Sequence, residues 1–125
     1  MALAEKAPVD AGEIFFITIP PRGGREQQGK RPCIVISRRS VNAGNPVVVV
    51  PMTSNTKKAN AYNIAIPAGE IIRDVNLTTP VVDSVALCGQ VFAVDKRKLE
   101  DRFGKLSHLA LLSVQLGLSF LFDIR

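Results

Sequence analysis

The run Val47-Val48-Val49-Val50-Pro51-Met52 decides the fold class of this chain. It is apolar without interruption and opens with four β-branched valines, so it predicts a β-strand that is buried on both faces. Pro51 marks the end of that strand, because proline cannot donate a backbone hydrogen bond to a neighbouring strand. The polar stretch 54–60 that follows predicts a loop.

Further short apolar runs predict a mainly β domain, β-rich α+β in class. Eight prolines and nine glycines favour a barrel or a strongly curved sheet over a helical bundle. We expect about five to seven strands in all. The other predicted strands are 13–18, 33–37, 62–66, 84–88 and 90–94. Gly89 permits a bend between the last two, which form either a strand pair or one kinked strand. The stretch 67–80 fits no single element.

The last predicted element is a helix from residue 108 to about residue 122, with Ser107 as its N-cap. Large apolar side chains recur at helical spacing and form one stripe: Leu109, Leu112, Leu116 and Phe120. So apolar a helix needs cover on most sides, either from the sheet alone or from the sheet and a second subunit. It falls short of the roughly 20 residues that span a bilayer.

Length and composition predict one domain, residues 12–125, behind a flexible tail, residues 1–11. With 46% hydrophobic residues in 125, the chain has enough apolar side chains for a core. Cys33 and Cys88 lie inside apolar runs without C-x-x-C spacing, so we interpret them as core residues rather than a disulfide. The first residues lack the apolar segment of a signal peptide, which predicts a cytoplasmic protein.

The chain is basic, with 16 Lys and Arg against 11 Asp and Glu, a net charge of +5 and a pI near 9.6. This balance favours an anionic partner, nucleic acid first, although a merely soluble basic surface explains it too. Half of these bases gather beside predicted strand ends: Arg22, Arg25, Lys30, Arg31, Arg38, Arg39, Lys57 and Lys58. The mixed-sign run 95–102 instead predicts a solvated helical turn.

The loop Gly24-Arg25-Glu26-Gln27-Gln28-Gly29-Lys30-Arg31-Pro32 is long and charged, which is typical of a ligand-binding loop. It matches the G-x-x-x-x-G-K spacing of a phosphate loop, but the required Ser or Thr is missing and a strand follows instead of a helix. A residue before proline is held extended. We therefore expect the Arg31 guanidinium to have a fixed direction at the strand mouth.

Several chemistries lack the residues they need. The single histidine, His108, lies at a presumed helix start and supports no hydrolytic triad. Two separated cysteines and one histidine do not make a zinc site, and paired catalytic carboxylates are not evident. Arg31, Glu26 and Thr53 remain. An arginine fork, a carboxylate and a hydroxyl together suit cleavage of a phosphodiester.

Five segments in order along the chain carry a family resemblance. They are Gly12-Glu13-Ile14; Glu26-Gln27 with Gly29 before Arg31-Pro32; Val48 to Ser54; Asp83 to Val91 with Val94-Asp95; and Gly104-Lys105-Leu106-Ser107. Each is weak alone, but in this order they resemble the MazF/PemK ribonuclease toxins of bacterial toxin–antitoxin systems. The resemblance covers nearly the whole domain.

The resemblance implies an SH3-like barrel, a homodimer, a neutralising antitoxin, and cleavage of single-stranded messenger RNA at short sequences without a metal or cofactor. By match to the family's motifs, Arg31 and Thr53 are the expected catalytic pair, with Glu26 as their neighbour and candidate base. The expected RNA contacts are Arg22, Arg25, Gln27, Lys30, Ser54, Lys57 and Gln90.

Alternatives accompany these assignments. Thr53 also fits a strand-end residue that bonds its own turn, and Glu26 also fits a salt bridge within the basic loop. Two departures from the family pattern, Arg25 and Phe92, indicate a different sequence preference; Phe92 either stacks on a base or faces the core. The rival function is a barrel toxin that inhibits a protein target, such as a topoisomerase, without catalysis.

Overall fold

The computed structural model of the protein describes residues 7–21, 24 and 29–124. Within these residues the chain forms eight β-strands and two α-helices. In chain order they are β1 (Glu13–Ile19), β2 (Gly29–Val35), α1 (Arg39–Asn42), β3 (Pro46–Thr53), β4 (Ile64–Ile66), β5 (Ile71–Arg73), β6 (Ser84–Ala86), β7 (Phe92–Asp95), β8 (Arg102–Leu106) and α2 (His108–Leu121). Short 3₁₀ turns occur at Thr56–Lys58, Ala68–Glu70, Cys88–Gln90 and Lys96–Lys98.

Strand β3 is the centre of the sheet. It pairs with β2 along one edge, and its other edge is shared by β7, opposite Pro46–Val49, and β6, opposite Met52–Thr53. Val47, Val49 and Val50 are each fully buried. The prediction of a strand buried on both faces is confirmed, because β3 carries apolar side chains into two different cores.

All strand pairs are antiparallel, and the continuous path runs β4-β6-β3-β2-β1-β8-β5, with β7 branching from β3. The end strands β4 and β5 are joined directly through the 3₁₀ turn Ala68–Glu70, so the sheet curls into a nearly closed barrel. The expected mainly β class with a curved barrel and a terminal helix is confirmed. Seven strands follow the continuous path, and β7 is an eighth.

Two apolar cores lie on opposite faces of the β1–β2–β3 region, as strand alternation requires. The first core contains Ile14, Ile34, Val50, Met52, Ile66, Ile71, Leu77, Ala86, Cys88, Phe103, Leu106, Ala110 and Val114. The second contains Val9, Phe15, Ile17, Ile19, Cys33, Val35, Val47, Val49 and Leu99. Val9, assigned to the tail from sequence, is buried, and its carbonyl accepts a hydrogen bond from Asn42. Residues 1–6 lie outside the described residues.

Helix α2 begins as predicted. The Ser107 hydroxyl oxygen accepts a hydrogen bond from the Ala110 N–H at 3.1 Å and donates to the Glu70 carboxylate at 2.6 Å. The buried face of the helix is made of small residues, Ala110, Val114 and Gly117. These let α2 approach the barrel closely. None of the helices in the described ranges is long and apolar enough to cross a bilayer.

The large side chains of the predicted stripe point away from the barrel. Leu109, Leu112, Leu116 and Phe120 are 66%, 48%, 62% and 64% exposed. The sheet therefore does not cover this stripe. The sequence left two possibilities for burying this stripe, the sheet alone or the sheet with a second subunit. The exposure of the four side chains excludes the first.

Four element predictions need correction. Strand β3 does not end at Pro51 but continues to Thr53. Segments 84–88 and 90–94 neither pair with each other nor form one kinked strand: β6 and β7 pair separately with β3, and a 3₁₀ turn at Cys88–Gln90 divides them. Strand β2 begins at Gly29, four residues before the predicted start. The predicted turn 95–102 is a 3₁₀ turn only over Lys96–Lys98, and its last residue begins β8.

Candidate active site

The β2–β3 pairing brings Arg31 and Thr53 to the same end and the same face of the sheet. The last residue pair between the two strands there is Cys33 with Pro51. Two residues further on each strand lie Arg31 and Thr53, beyond the end of the β2–β3 pairing, where Thr53 pairs with Val85 of β6. Both share the face of Cys33 and Val49, which contributes to the second core.

Arg31 is half-buried and lies opposite Ile17 of β1. Pro32 follows it, and the strand continues into fully buried Cys33. The base of this arginine is therefore set in regular antiparallel sheet, which fixes the direction in which the side chain leaves the strand. Arg31 is thus the third residue of β2 and not a residue at the strand mouth, and its backbone is extended as expected.

Thr53 is the final residue of β3 and is 8% exposed. Its Oγ1 accepts a hydrogen bond from the Asn55 N–H at 3.2 Å, which is the turn-bonding role weighed from sequence. A hydroxyl has one proton to donate besides its two lone pairs. The bond from Asn55 therefore orients the hydroxyl and leaves its proton for an acceptor. Ser54, next along the chain, is exposed.

Gln90 ends the 3₁₀ turn that leads from β6 to β7. The Leu87 N–H donates to the Pro51 carbonyl at 2.9 Å, and the Gln90 N–H donates to the Leu87 carbonyl at 2.9 Å. This two-step link ties the half-buried Gln90 to the end of β3, beside the Cys33–Pro51 rung. Phe92 pairs with Val49 and packs on the second core, so of its two interpretations the structure favours the core.

Lys30 does not join Arg31. It is the preceding residue of the same strand, so it lies on the opposite face. Its Nζ lies 5.2 Å from the centroid of the Phe16 ring and 3.7 Å from the Glu100 carboxylate. Lys57 is exposed in the turn after β3, where its N–H donates to the Asn55 side chain. Of these two lysines, Lys57 alone follows the strand end that carries Thr53.

The remaining predicted site residues, Glu26, Arg22, Arg25 and Gln27, lie outside the described residues. Their loop leaves β1 after Ile19 and enters β2 at Gly29, and these two residues form the last rung of the hairpin. Gly29 has a φ of 80°, a backbone conformation that favours glycine. The loop is therefore anchored two residues before Arg31.

Electrostatics exclude the cysteines as nucleophiles. Burial raises the pKa of the Cys33 thiol to about 12 and that of Cys88 to about 11, so both stay protonated and inert near neutral pH. Both are free and buried, as predicted. His108 is exposed. Among residues 7–21, 24 and 29–124, no group of three or more His, Cys, Asp or Glu is placed to hold a metal ion.

A cation and an oriented hydroxyl on neighbouring strands of a small antiparallel barrel, as Arg31 and Thr53 are here, are suited to an anionic group. The same architecture occurs in a solved MazE–MazF complex from Deinococcus radiodurans, with a TM-score of 0.71 at 22% identity, covering 96% of this chain and 100% of that one. At this identity the match shows the fold alone.

Sequence comparison supplies the family. The model of the family described as PemK-like, MazF-like toxin of type II toxin–antitoxin system matches residues 10–122. Endoribonuclease EndoA of Bacillus subtilis is 32% identical over 102 residues, 81% of this chain and 80% of that protein. Endoribonuclease PemK of Escherichia coli is 34% identical over 62 residues, so that match spans about half of each chain, 49% of this one and 47% of the other. The chain belongs to the PemK/MazF toxin family.

Proposed function

We propose that this protein is a sequence-specific endoribonuclease toxin that cleaves single-stranded messenger RNA without a metal ion. The observation that supports the proposal most is the β2–β3 register, in which Arg31 and Thr53 lie two residues beyond the Cys33–Pro51 pair on neighbouring strands. Family membership and the endoribonuclease names of the relatives support it. The net charge of +5 favours an anionic substrate of this kind.

In the proposed reaction the 2′-hydroxyl oxygen attacks the adjacent phosphorus, and the bond from phosphorus to the 5′-oxygen breaks. The products are a 2′,3′-cyclic phosphate, which water opens to a 3′-phosphate, and a free 5′-hydroxyl. Charge accumulates on the two non-bridging oxygens as the attack proceeds. Those oxygens are where a positioned cation and a hydrogen-bond donor lower the barrier most.

The roles follow from the chemistry of each side chain. Arg31 stays protonated at any physiological pH, so it acts as an electrostatic clamp on the non-bridging oxygens. Thr53 donates its hydroxyl proton to one of these oxygens, oriented by the bond from Asn55. Glu26 is assigned by the family's motif as the base that accepts the 2′-hydroxyl proton. Water protonates the leaving oxygen.

RNA contacts around the scissile phosphate come from two groups of residues. In this proposal Ser54 and Lys57, which follow β3, and Gln90, which is linked to Pro51 through Leu87, bind bases and phosphates beside Thr53. Arg22, Arg25 and Gln27 belong to the loop that precedes β2, whereas Lys30 lies on the face of β2 opposite Arg31 and has no contact with the scissile phosphate in this proposal. Phe92 packs on the core, so hydrogen bonds and phosphate contacts carry recognition rather than an aromatic platform.

We also propose a homodimer formed through the outer face of α2. The helix contains no Asp, Glu, Lys or Arg, and four large apolar side chains stand exposed along it. A stripe of this kind is stabilised when it is buried against a second apolar surface, and a twofold axis lets the same stripe cover itself. A cognate antitoxin is the expected further partner, as in the MazE–MazF relative. We place this assembly in the cytoplasm, where its substrate is found.

Cleavage of a defined RNA by the purified protein tests the proposal. Wild type should cut a mixed single-stranded RNA in EDTA, and a 2′-deoxy sugar at the mapped cut should block the reaction. Arg31→Ala should abolish turnover, whereas Arg38→Ala, which removes an exposed arginine after β2, should keep it. Circular dichroism must show that both variants are folded.

Two results would contradict the proposal. Turnover by folded Arg31→Ala would exclude the clamp. Growth arrest by a protein that cuts no RNA in cells or in vitro would favour the non-catalytic toxin, whose target the exposed α2 stripe would bind. Sequencing of RNA ends after a brief pulse of expression distinguishes these outcomes and reports the cut site.

A further inference from the structure

At the end that carries Arg31, the β1–β2 hairpin extends beyond the neighbouring strands β8 and β3. Pairing between β1 and β8 stops at Phe15, and pairing between β2 and β3 stops at Cys33. The hairpin itself continues to the Ile19–Gly29 rung. Among the described residues, the rungs around Arg31 thus form a two-stranded ribbon, a structure that is marginally stable by itself.

A short segment outside the strands continues along the free edge of β1. The Phe16 N–H donates to the Asp101 carbonyl at 3.0 Å, and the Glu100 N–H donates to the Phe16 carbonyl at 2.8 Å. This exchange replaces the β8 ladder after the irregularity that follows Ile14. These two hydrogen bonds place the Glu100 side chain beside Thr18, two residues after Phe16 on the edge of β1 that β8 no longer pairs.

The Glu100 carboxylate contacts two residues that face each other in the hairpin, one on β1 and one on β2. Its Oε2 accepts hydrogen bonds from the Thr18 N–H at 3.0 Å and the Thr18 hydroxyl at 2.7 Å. Its Oε1 lies 3.7 Å from Lys30 Nζ. Thr18 and Lys30 face each other across the hairpin, and the adjacent rung joins Ile17 to Arg31.

We propose that Glu100 is a positioning residue for Arg31, an inference that rests on the proposed ribonuclease function. Packing of Ile17 and Ile19 in the second core holds one face of the ribbon, and Glu100 holds its edge. The carboxylate does not touch substrate. It fixes the backbone on which the guanidinium stands, and small displacements of a clamping group have large effects on rate.

Glu100 lies in the mixed-sign run 95–102, whose charges predict a solvated turn, so its role is not evident from the sequence. Its contact with Thr18 spans 82 residues, and no local pattern reports such a pairing. The next residue, Asp101, provides a matched control for substitutions of Glu100. Asp101 is exposed and acidic like Glu100, and its carboxylate makes no hydrogen bond with the described part of the chain.

Steady-state cleavage of a defined RNA by Glu100→Ala, Glu100→Gln and Asp101→Ala tests the proposal. Glu100→Ala should lower kcat about tenfold to a hundredfold with little change in KM, because geometry rather than charge at the phosphate is lost. Glu100→Gln keeps an oxygen that accepts both Thr18 bonds and should restore most of kcat. Asp101→Ala should match wild type.

A second measurement separates positioning from general stability. The ¹⁵N order parameter of the Arg31 Nε–H should fall in Glu100→Ala and recover in Glu100→Gln. Equal kcat and equal order parameters for Glu100→Ala and Asp101→Ala would overturn the proposal. If Glu100→Ala does not fold, Thr18→Val, which removes only the hydroxyl bond, should show a smaller fall in both quantities, and no fall would overturn it. If wild type cuts no RNA, the proposed function fails, and the order parameters still decide whether Glu100 holds Arg31.

Discussion

The Thr53 side chain combines a structural role with a proposed catalytic role. Its Oγ1 closes the turn after β3 by accepting from Asn55, and the same hydroxyl has its proton available for a phosphate oxygen. A turn bond and a catalytic role are therefore compatible, since one uses a lone pair and the other the proton. The turn bond removes the rotational freedom that a free hydroxyl would lose on binding substrate.

Substitutions that separate shape from hydroxyl test this dual role of Thr53. Thr53→Val keeps the β-branched shape and should lower kcat roughly a hundredfold, the usual cost of losing one directed hydrogen bond to a charged transition state. Thr53→Ser should retain most activity. Thr79→Val, at an exposed threonine away from the strand end, is the control for the substitution itself. Single-turnover cleavage provides the measurement, and wild-type kcat in Thr53→Val would exclude the donor role.

Burial of the Cys33 thiol predicts that the free energy of unfolding decreases at alkaline pH. Burial raises the pKa of this thiol from 9.0 to about 12, so between these values the unfolded chain releases a proton that the folded chain retains. The unfolded state then binds fewer protons, and the free energy of unfolding falls as pH rises. Cys33→Val removes the group and should flatten this fall. Urea midpoints at pH 8 and pH 10.5 measure it, and an unchanged difference between the two midpoints would contradict the assignment.

Residue-level prediction succeeded where a local rule applied and failed where strand length mattered. Pro32 after Arg31 predicted extended backbone at the arginine, and the structure has it within β2. A strand that begins at Cys33, as the sequence predicts, leaves Lys30 and Arg31 together in the loop before it. Once β2 begins at Gly29, alternation places these two cations on opposite faces.

Among the elements, β3 shows what an apolar run reveals and what it hides. Its continuous valines predicted burial on both faces, which depends only on composition. Its partners were not predictable. Two neighbouring apolar runs with a glycine between them look like a hairpin, whereas β6 and β7 pair with different halves of β3. Pairing of that kind depends on barrel closure, which involves contacts far apart in sequence.

Helix α2 depends on one glycine for its close packing. A Cβ at Gly117 would lie 2.6 Å from Ile64 Cγ1 and 2.8 Å from the Tyr62 carbonyl oxygen. Gly117→Ala should therefore destabilise the protein by about 1–3 kcal/mol, the range for overpacking, despite the better helix propensity of alanine. Gly69→Ala is the matched control, because a Cβ there meets nothing within 4 Å. Urea unfolding compares them; equal midpoints would show that the helix shifts without cost.

At the scale of the whole molecule, the barrel has its apolar cores on the inside and one apolar surface left outside. The helical stripe was predicted from spacing, but its direction was not, since spacing does not say which face of an apolar helix meets the sheet. The small residues on its opposite face decide this. Ala110, Val114 and Gly117 fit against the barrel, and the large side chains are left for another surface.

Self-association through the α2 stripe is the prediction at this scale. Leu116→Lys puts a charge in the middle of the stripe, and a dimer would bury two such charges beside each other, so the variant should sediment as a monomer where wild type is a dimer. Ile72→Lys changes an aliphatic residue of comparable exposure on β5, at 53% against 62%, and should leave the dimer intact. Sedimentation equilibrium over a hundredfold range of concentration measures both. A wild type that stays monomeric throughout would exclude the homodimer, and a dimer that survives Leu116→Lys would place its interface on a different surface.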